Sequence, residues 1–206
     1  PIQEAISICK DAILIENNES YYEETFESLL KNMESRSPIV ERYSLGHAYI
    51  GLDGLGPMYG GEARLITNLI HSVPSYFNPR IGVAESKFPA YVAALSSVAN
   101  GSTKVPDDII EFLKKFSIKL LPISWKTKSN FLELGLSTLG HIAGQSIGAI
   151  QAQFGTEGLQ AWELSNGIDK RFLSPRKPQE IISEDIVFPY PQNILSGILI
   201  AIDFLI

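Results

Sequence analysis

Few side chains of this 206-residue chain could act on a proton, a metal or a phosphate. Its single cysteine, Cys9, cannot close an internal disulfide, and His47, His71 and His141 have no cysteine partners that would give a zinc spacing. Glu23, Glu24 and Glu27 fall on consecutive or opposite faces of one helical stretch, which makes a solvated surface and not a metal site. A serine hydrolase would need a strained nucleophile turn. Neither Leu45-Gly46-His47 nor Gly140-His141 supplies one, so His71 and His141 read as structural or surface residues. The glycines of 54–61 lack a phosphate-loop spacing and read as turn chemistry. What remains is cationic. Residues 114–128 hold five lysines and no acid, and 170–177 hold Lys170, Arg171, Arg176 and Lys177 with no acid. Such groups are either a solvated face or a phosphate-meeting patch.

These patches sit in an acidic chain of net charge −6, with 45% apolar and 19% charged side chains and a mean hydropathy of +0.07. That composition excludes disorder and low complexity, and it argues against a surface that is basic throughout. The negative excess lies in residues 1–103, with 7 basic and 12 acidic side chains against 10 and 11 in 104–206. The longest apolar run, 194–206, has thirteen residues and carries Asp203, whereas a membrane span needs about 20. With no signal-type opening, a cytoplasmic protein with no membrane partner is expected. Pro1 in first place and an end inside an apolar run are expected of a processed chain or a piece of a longer one.

The elements that must position these residues can be read from periodicity. Ser20 and Glu23 have the capping-box form, and Tyr22, Phe26, Leu29, Leu30 and Met33 then make one helical stripe ending near Arg36. Residues 39–52 are rich in Val, Ile, Tyr and Leu and read as two short strands or one bent strand. Helical spacing resumes over 61–72, a strand follows at 80–84, and a helix begins near Pro89 and ends at Asn100-Gly101. From Pro106 onward short helices alternate with glycines: 107–116, 124–134, 137–143, 147–154 and 157–166. Residues 172–179, with Pro175 and Pro178, read as a linker, and 180–188 as a strand.

The segment 120–144 has the order short helix, Leu134-Gly135, Leu136-Ser137-Thr138-Leu139, short helix, which matches a helix-hairpin-helix pattern. In that arrangement backbone amides at a helix N-terminus, helped by lysines, meet a nucleic-acid phosphate. Ser124, Lys126 and Lys128 stand at the first helix, with Lys119 just before it. The connection 123–126 lacks the glycines that allow close approach to a phosphate.

With that segment placed, four blocks in order over nearly the whole chain resemble the Y-family (UmuC/DinB-type) translesion DNA polymerases. Residues 38–52, PIVERYSLGHAYIGL, are similar to that family's SP-x-VE-x-YS-[IL]-DE-A-[FY]-LDL, and 80–93 to its [ST]-x-G-[IV]-A-x-NK-x-[LF]-AK-[IV]-A. Phe154-Gly155 and Leu164-Ser165-Asn166-Gly167-Ile168-Asp169 stand for RFG and LA-x-GID, and Glu180-Ile181-Ile182-Ser183 for KSIS. The resemblance implies an α+β fold: an incomplete polymerase-like palm sheet with helices, then a small all-helical thumb with the helix-hairpin-helix-like segment. It divides the chain into a fingers remnant (1–37), palm (38–105), thumb (106–169), linker (170–179) and the start of a little-finger domain (180–206). The family's N-terminal strand has no counterpart, so open ladder positions, a weakened fold or strand pairing between chains are expected.

The departures decide the expected function. The family's Asp-Glu metal pair is matched by Gly46 and His47, a third Asp by Gly51, and the triphosphate lysine by Tyr91, with Lys87 as a vestigial triphosphate contact. Glycine and neutral imidazole are poor ligands for magnesium. No catalytic residue, metal or cofactor is therefore expected, and magnesium matters only if residual polymerase activity exists. Loss of the pair resembles the ImuB-like branch, whose members act in SOS mutagenesis as non-catalytic adaptors. That likeness implies DNA, a sliding clamp, an ImuA-type protein and an error-prone replicative-type polymerase as partners. Lys119, Ser124, Lys126, Lys128, Lys170 and Arg171 are the expected DNA contacts. The alternatives are an active DNA-directed DNA polymerase, with Asp53 or another carboxylate substituting from a shifted register, and a protein-interaction scaffold without DNA contact.

Overall fold

The computed structural model describes residues 2–9, 11–176 and 195. The chain divides into two compact units, 1–176 and 177–206. The strand expected at 180–188 and the domain start expected at 180–206 lie, apart from Leu195, outside the described residues.

The first unit opens with α1 (Ile2–Ile8), a helix not expected from the sequence. Helix α2 (Glu19–Glu34) is capped two residues before the expected Ser20, because the Asn18 side chain accepts from the Tyr21 amide at 3.1 Å. An Asx residue immediately before the first turn satisfies an amide that Ser20, already helical, cannot. The apolar run 39–52 resolves into an antiparallel hairpin of β1 (Val40–Ser44) and β2 (His47–Ile50), paired Val40 to Ile50, Glu41 to Tyr49 and Arg42 to Ala48. A bulge falls between Arg42 and Ser44, and Gly46 makes the turn at φ +74°, the left-handed region that favours glycine. Phe26 and Leu30 of α2 bury against Val40.

After α3 (Gly56–Tyr59) and α4 (Glu62–His71), β3 (Arg80–Val83) pairs in parallel with β4 (Gly101–Lys104) across α5 (Lys87–Ser96). Helix α5 starts two residues before Pro89 and stops at Ser96, not at Asn100-Gly101. The four residues Gly101-Ser102-Thr103-Lys104 then form a strand that their polar composition conceals. A Cβ on Gly82 would lie 1.9 Å from the Ala90 carbonyl oxygen, so the glycine is what lets α5 pack directly onto β3. The two strand pairs form separate two-stranded sheets among the described residues.

Helices α6 (Ile109–Leu113), α7 (Trp125–Glu133), α8 (Leu139–Ala143) and α9 (Ile147–Ser165) follow. Asp108, Ser124, Thr138 and Ser146 cap them. The two helices expected over 147–154 and 157–166 run as one element broken at Gly155 (φ 62°, ψ −141°). Leu113, Ile118, Leu121, Phe131, Leu139 and Ile142 are nearly or fully inaccessible and share one core with Phe88 and Val92 of α5.

Residues 170–176, the described part of the expected linker, are hydrogen-bonded within the first unit. The Arg176 amide donates to the Val40 carbonyl at 2.9 Å, its guanidinium pairs with Glu27 and Glu34, and the Ser174 amide donates to Glu41 at 2.6 Å. Arg176 thereby takes the outward backbone carbonyl of β1 at Val40.

Candidate nucleic-acid interface

The hairpin turn and α5 bring Gly46, His47 and Tyr91 to one place. His47 stacks on Tyr91 with centroids 5.0 Å apart and planes 18° apart, and it also touches Tyr43 (4.8 Å) and Tyr49 (4.7 Å). Positions 47 and 49 share a face because side chains alternate along a strand. Burial holds the His47 imidazole below its usual pKa, and burial pushes the Tyr49 phenol upward. The group at the turn is therefore a neutral aromatic cluster.

Lys87 is not free to meet a ligand. Its ammonium lies 2.7 Å from both carboxylate oxygens of Glu41 and 5.5 Å from the Tyr49 ring centroid. Burial by itself would raise the Glu41 pKa, but the Lys87 hydrogen bond, the Ser174 amide and the nearby cationic charge outweigh it and hold it low. Asp169 is similarly occupied. It accepts from the Phe88 amide at the start of α5 (2.9 Å) and takes a two-point contact from Arg171 (2.8 and 2.7 Å). Burial would raise its pKa too, and the Arg171 contacts lower it.

A cleft of about 210 Å³ opens beside the aromatic cluster, walled by Tyr43, His47, Tyr49 and Tyr91 on one side and by 119–122 on the other. Lys119, Lys128 and Arg171 stand on its lining, and no Asp or Glu does. The structure thus gathers His47 and three of the expected DNA-contacting cations, although they are up to 124 residues apart in sequence. Lys128 also donates to the Lys119 carbonyl at 3.0 Å, which fixes the two together.

The other expected contacts are placed elsewhere. Lys126 is exposed on α7 away from the cleft lining, and Lys170 pairs with Glu163 at 2.8 Å. Ser124 differs most from expectation. Its amide and hydroxyl donate to Glu157 (3.1 and 2.7 Å), and Thr127 donates to the same carboxylate. These hydrogen bonds, Thr127 foremost, lower the Glu157 pKa. The helix end expected to receive a phosphate already holds a carboxylate, which an incoming phosphate would have to displace. The sequence reading missed Glu157 because it lies 33 residues away; Tyr43 and Tyr49 could have been found from their alternation with His47.

Magnesium does not fit this site. The cleft wall offers no carboxylate, and Glu41 and Asp169 are engaged by cations and amides. Among the described residues no group of three or more His, Cys, Asp or Glu side chains could hold a metal ion. No phosphoryl-transfer step can be derived from it.

The fold is a mixed helix and small-sheet body, and its smaller cleft carries cations and aromatic rings and no carboxylate. Residues 1–95 match the model of the impB/mucB/samB family. The chain is 28% identical over 192 residues to DNA polymerase IV of Dehalococcoides mccartyi strain BAV1, covering 91% of this chain and 49% of that protein. It is 30% identical over 198 residues to DNA polymerase IV of Yersinia pseudotuberculosis, covering 90% and 56%. It thus spans about half the length of the curated relatives it matches. Among solved structures, a DinB family error-prone DNA polymerase from Sulfolobus solfataricus superposes with a TM-score of 0.71 at 19% identity, over 85% of this chain and 54% of that one. A post-insertion binary complex of Dbh DNA polymerase gives 0.67 at 20%, over 84% and 52%. The chain is thus similar to DNA polymerase IV proteins in sequence and shares the fold of DinB-type DNA polymerases over most of its own length.

Proposed function

We propose that this chain is a non-catalytic, DNA-contacting body that serves lesion bypass as an adaptor. One observation carries the reading: the cleft beside His47, a position the resemblance matches to one of the family's two metal ligands, is lined by Lys119, Lys128 and Arg171 and by no carboxylate. Lys119 and Lys128 beside an aromatic wall can hold a phosphate and stack a base, with Arg171 engaged by Asp169, and without metal ligands they cannot drive phosphoryl transfer. Under this reading 1–37, 38–105 and 106–169 keep the fingers, palm and helix-hairpin-helix thumb roles, in a cytoplasmic protein. The sliding clamp, an ImuA-type protein and a separate error-prone polymerase would be its partners by family likeness.

The test is fluorescence anisotropy of a labelled primer-template at about 50 and 200 mM salt, a range that weakens phosphate contacts steeply. Binding is expected to fall with salt, and further when Lys119 and Lys128 are reversed to Glu, while reversing Lys126 alone has the smaller effect. Primer extension with magnesium is expected to yield no product. Absent or salt-independent binding would favour the scaffold reading, and extension would restore the polymerase.

A further inference from the structure

The turn into α7 lacks the glycines of a phosphate-binding hairpin, and it carries an open aromatic ring instead. Trp125, the first residue of α7, keeps 65% of its surface exposed, and Lys126 beside it is exposed as well. The contact of α7 with α9 is supplied by another ring, the fully buried Phe131, 4.3 Å from that of Phe154. Lys128 lies three residues beyond Trp125 on the same face of the helix, and such pairs have Cβ atoms about 5–6 Å apart. Lys128 in turn lines the cleft of the aromatic cluster and is tied to the Lys119 carbonyl. Ring and ammonium therefore continue the cleft's edge along α7.

The backbone of the same turn is occupied. Glu157 accepts from the Ser124 amide at 3.1 Å and from the Ser124 hydroxyl at 2.7 Å, and that hydroxyl accepts from the Thr127 amide at 3.3 Å. Two donors that a helix N-terminus would turn to a duplex phosphate are spent, and the carboxylate on one of them repels such a phosphate. Contact with a ligand is left to side chains. In the chain around this turn they are cationic, since residues 114–128 hold five lysines and no acid, so a polyanion is the complementary occupant. The ring narrows the choice. Inside a duplex both faces of a base are covered by its neighbours, whereas an unpaired base offers a free face to an aromatic side chain.

We infer that Trp125 is a stacking platform for an unpaired base of single-stranded DNA, with Lys128 holding the adjoining phosphate. This rests on the DNA-contacting reading above and names the form of DNA that α7 meets: a single strand laid along its first turn, in place of a duplex gripped by its backbone. One helical turn between ring and ammonium is short enough for a single nucleotide to span. Every base has a face to stack, so the contact carries no sequence preference of its own.

The chain has two tryptophans, and Trp162 is half-buried with its indole N–H donated to the Gln145 carbonyl at 2.9 Å, so a change of emission on binding reports Trp125. The test titrates the 206-residue chain at low salt with an oligothymidylate of about ten residues, within the range of single-strand sites. Saturable quenching is expected, and a blunt duplex of equal nucleotide content is expected to quench far less. Trp125→Ala is expected to weaken oligothymidylate binding, read by anisotropy of a labelled strand, between about fivefold and a hundredfold, the worth of one stacked base. Trp125→Phe keeps a ring and is expected to restore most of that loss, with the remaining Trp162 emission unmoved. Absent oligothymidylate binding, binding without quenching, equal quenching by the duplex, or equal affinity of the Ala and Phe variants would each overturn the inference. Where the primer-template still binds with salt dependence in those cases, the DNA-contacting reading stands without it; loss of that binding as well overturns both.

Discussion

Between Leu113 and Leu164 the buried side chains join into one core that also takes in Phe88 and Val92. The sheet region buries its apolar groups in two small clusters instead, Phe26 with Leu30 and Val40, and Leu55 with Leu65 and Leu69, with Ile50 packed between. Helices satisfy their own backbone, so side-chain packing alone completes the first region. Strands pair only with neighbouring backbone, so the two-stranded sheets of the second region, among the described residues, depend on pairing as well as on side-chain burial. The difference teaches that the helical region is held by one continuous core and the sheet region, among the described residues, by two small clusters that share Ile50.

The largest expected effect breaks the complete core. Phe131 is fully buried with its ring 4.3 Å from that of Phe154, and Phe131→Ala is expected to cost about 3–5 kcal/mol in urea unfolding. Leu69→Ala, on the wall of a second, larger cleft, is expected near the low end of the leucine range, about 2 kcal/mol, because its surroundings can relax into open space. Equal losses at the two positions would erase the comparison.

The next effect concerns the ion pair that joins the hairpin to α5. Glu41→Gln leaves the Lys87 ammonium, whose side chain is only 10% exposed, without a counter-charge, and is expected to cost about 3 kcal/mol by thermal or denaturant melting. Because the folded-state Glu41 pKa is depressed, its contribution is full above the ordinary carboxylate value and is lost as pH falls through the lower folded value. The Gln variant is expected to lose that acid-side dependence, and an unchanged profile would remove Glu41 from the account.

The smallest effect tests the aromatic cluster. The His47 pKa is lowered in the fold, so the unfolded chain binds more protons just below pH 6.5, and stability decreases there as pH falls. His47→Phe keeps the ring stack and is expected to flatten this part of the curve. A persistent slope would place the titrating group elsewhere.

Much of the fold was legible. The stripe Phe26, Leu30, Met33, the dense run 39–52 and the glycine-punctuated helices after Pro106 each declare their element by local period and turn chemistry. The polar strand 101–104 was not, because it is held by pairing to β3 and not by its own composition. The site was legible only as residue types. Lys119, Lys128 and Arg171 stood out as cations among others, and nothing local separated them from Lys126 and Lys170.

By itself, the sequence determined the α+β class, the places of the hairpin and of most helices, the family likeness, and the loss of carboxylates at positions 46 and 47. These follow from neighbours within a turn or a strand, or from residue identity, which chain distance does not alter. Only the tertiary structure decided that Glu157 seats itself on the Ser124 amide, that Lys87 is held by Glu41, and that three of six expected contacts share one cleft. It alone set residues of β2 and β3 on one cavity. Each of these joins groups dozens of residues apart, and such proximity is fixed by how the whole core packs, a quantity that no local pattern carries.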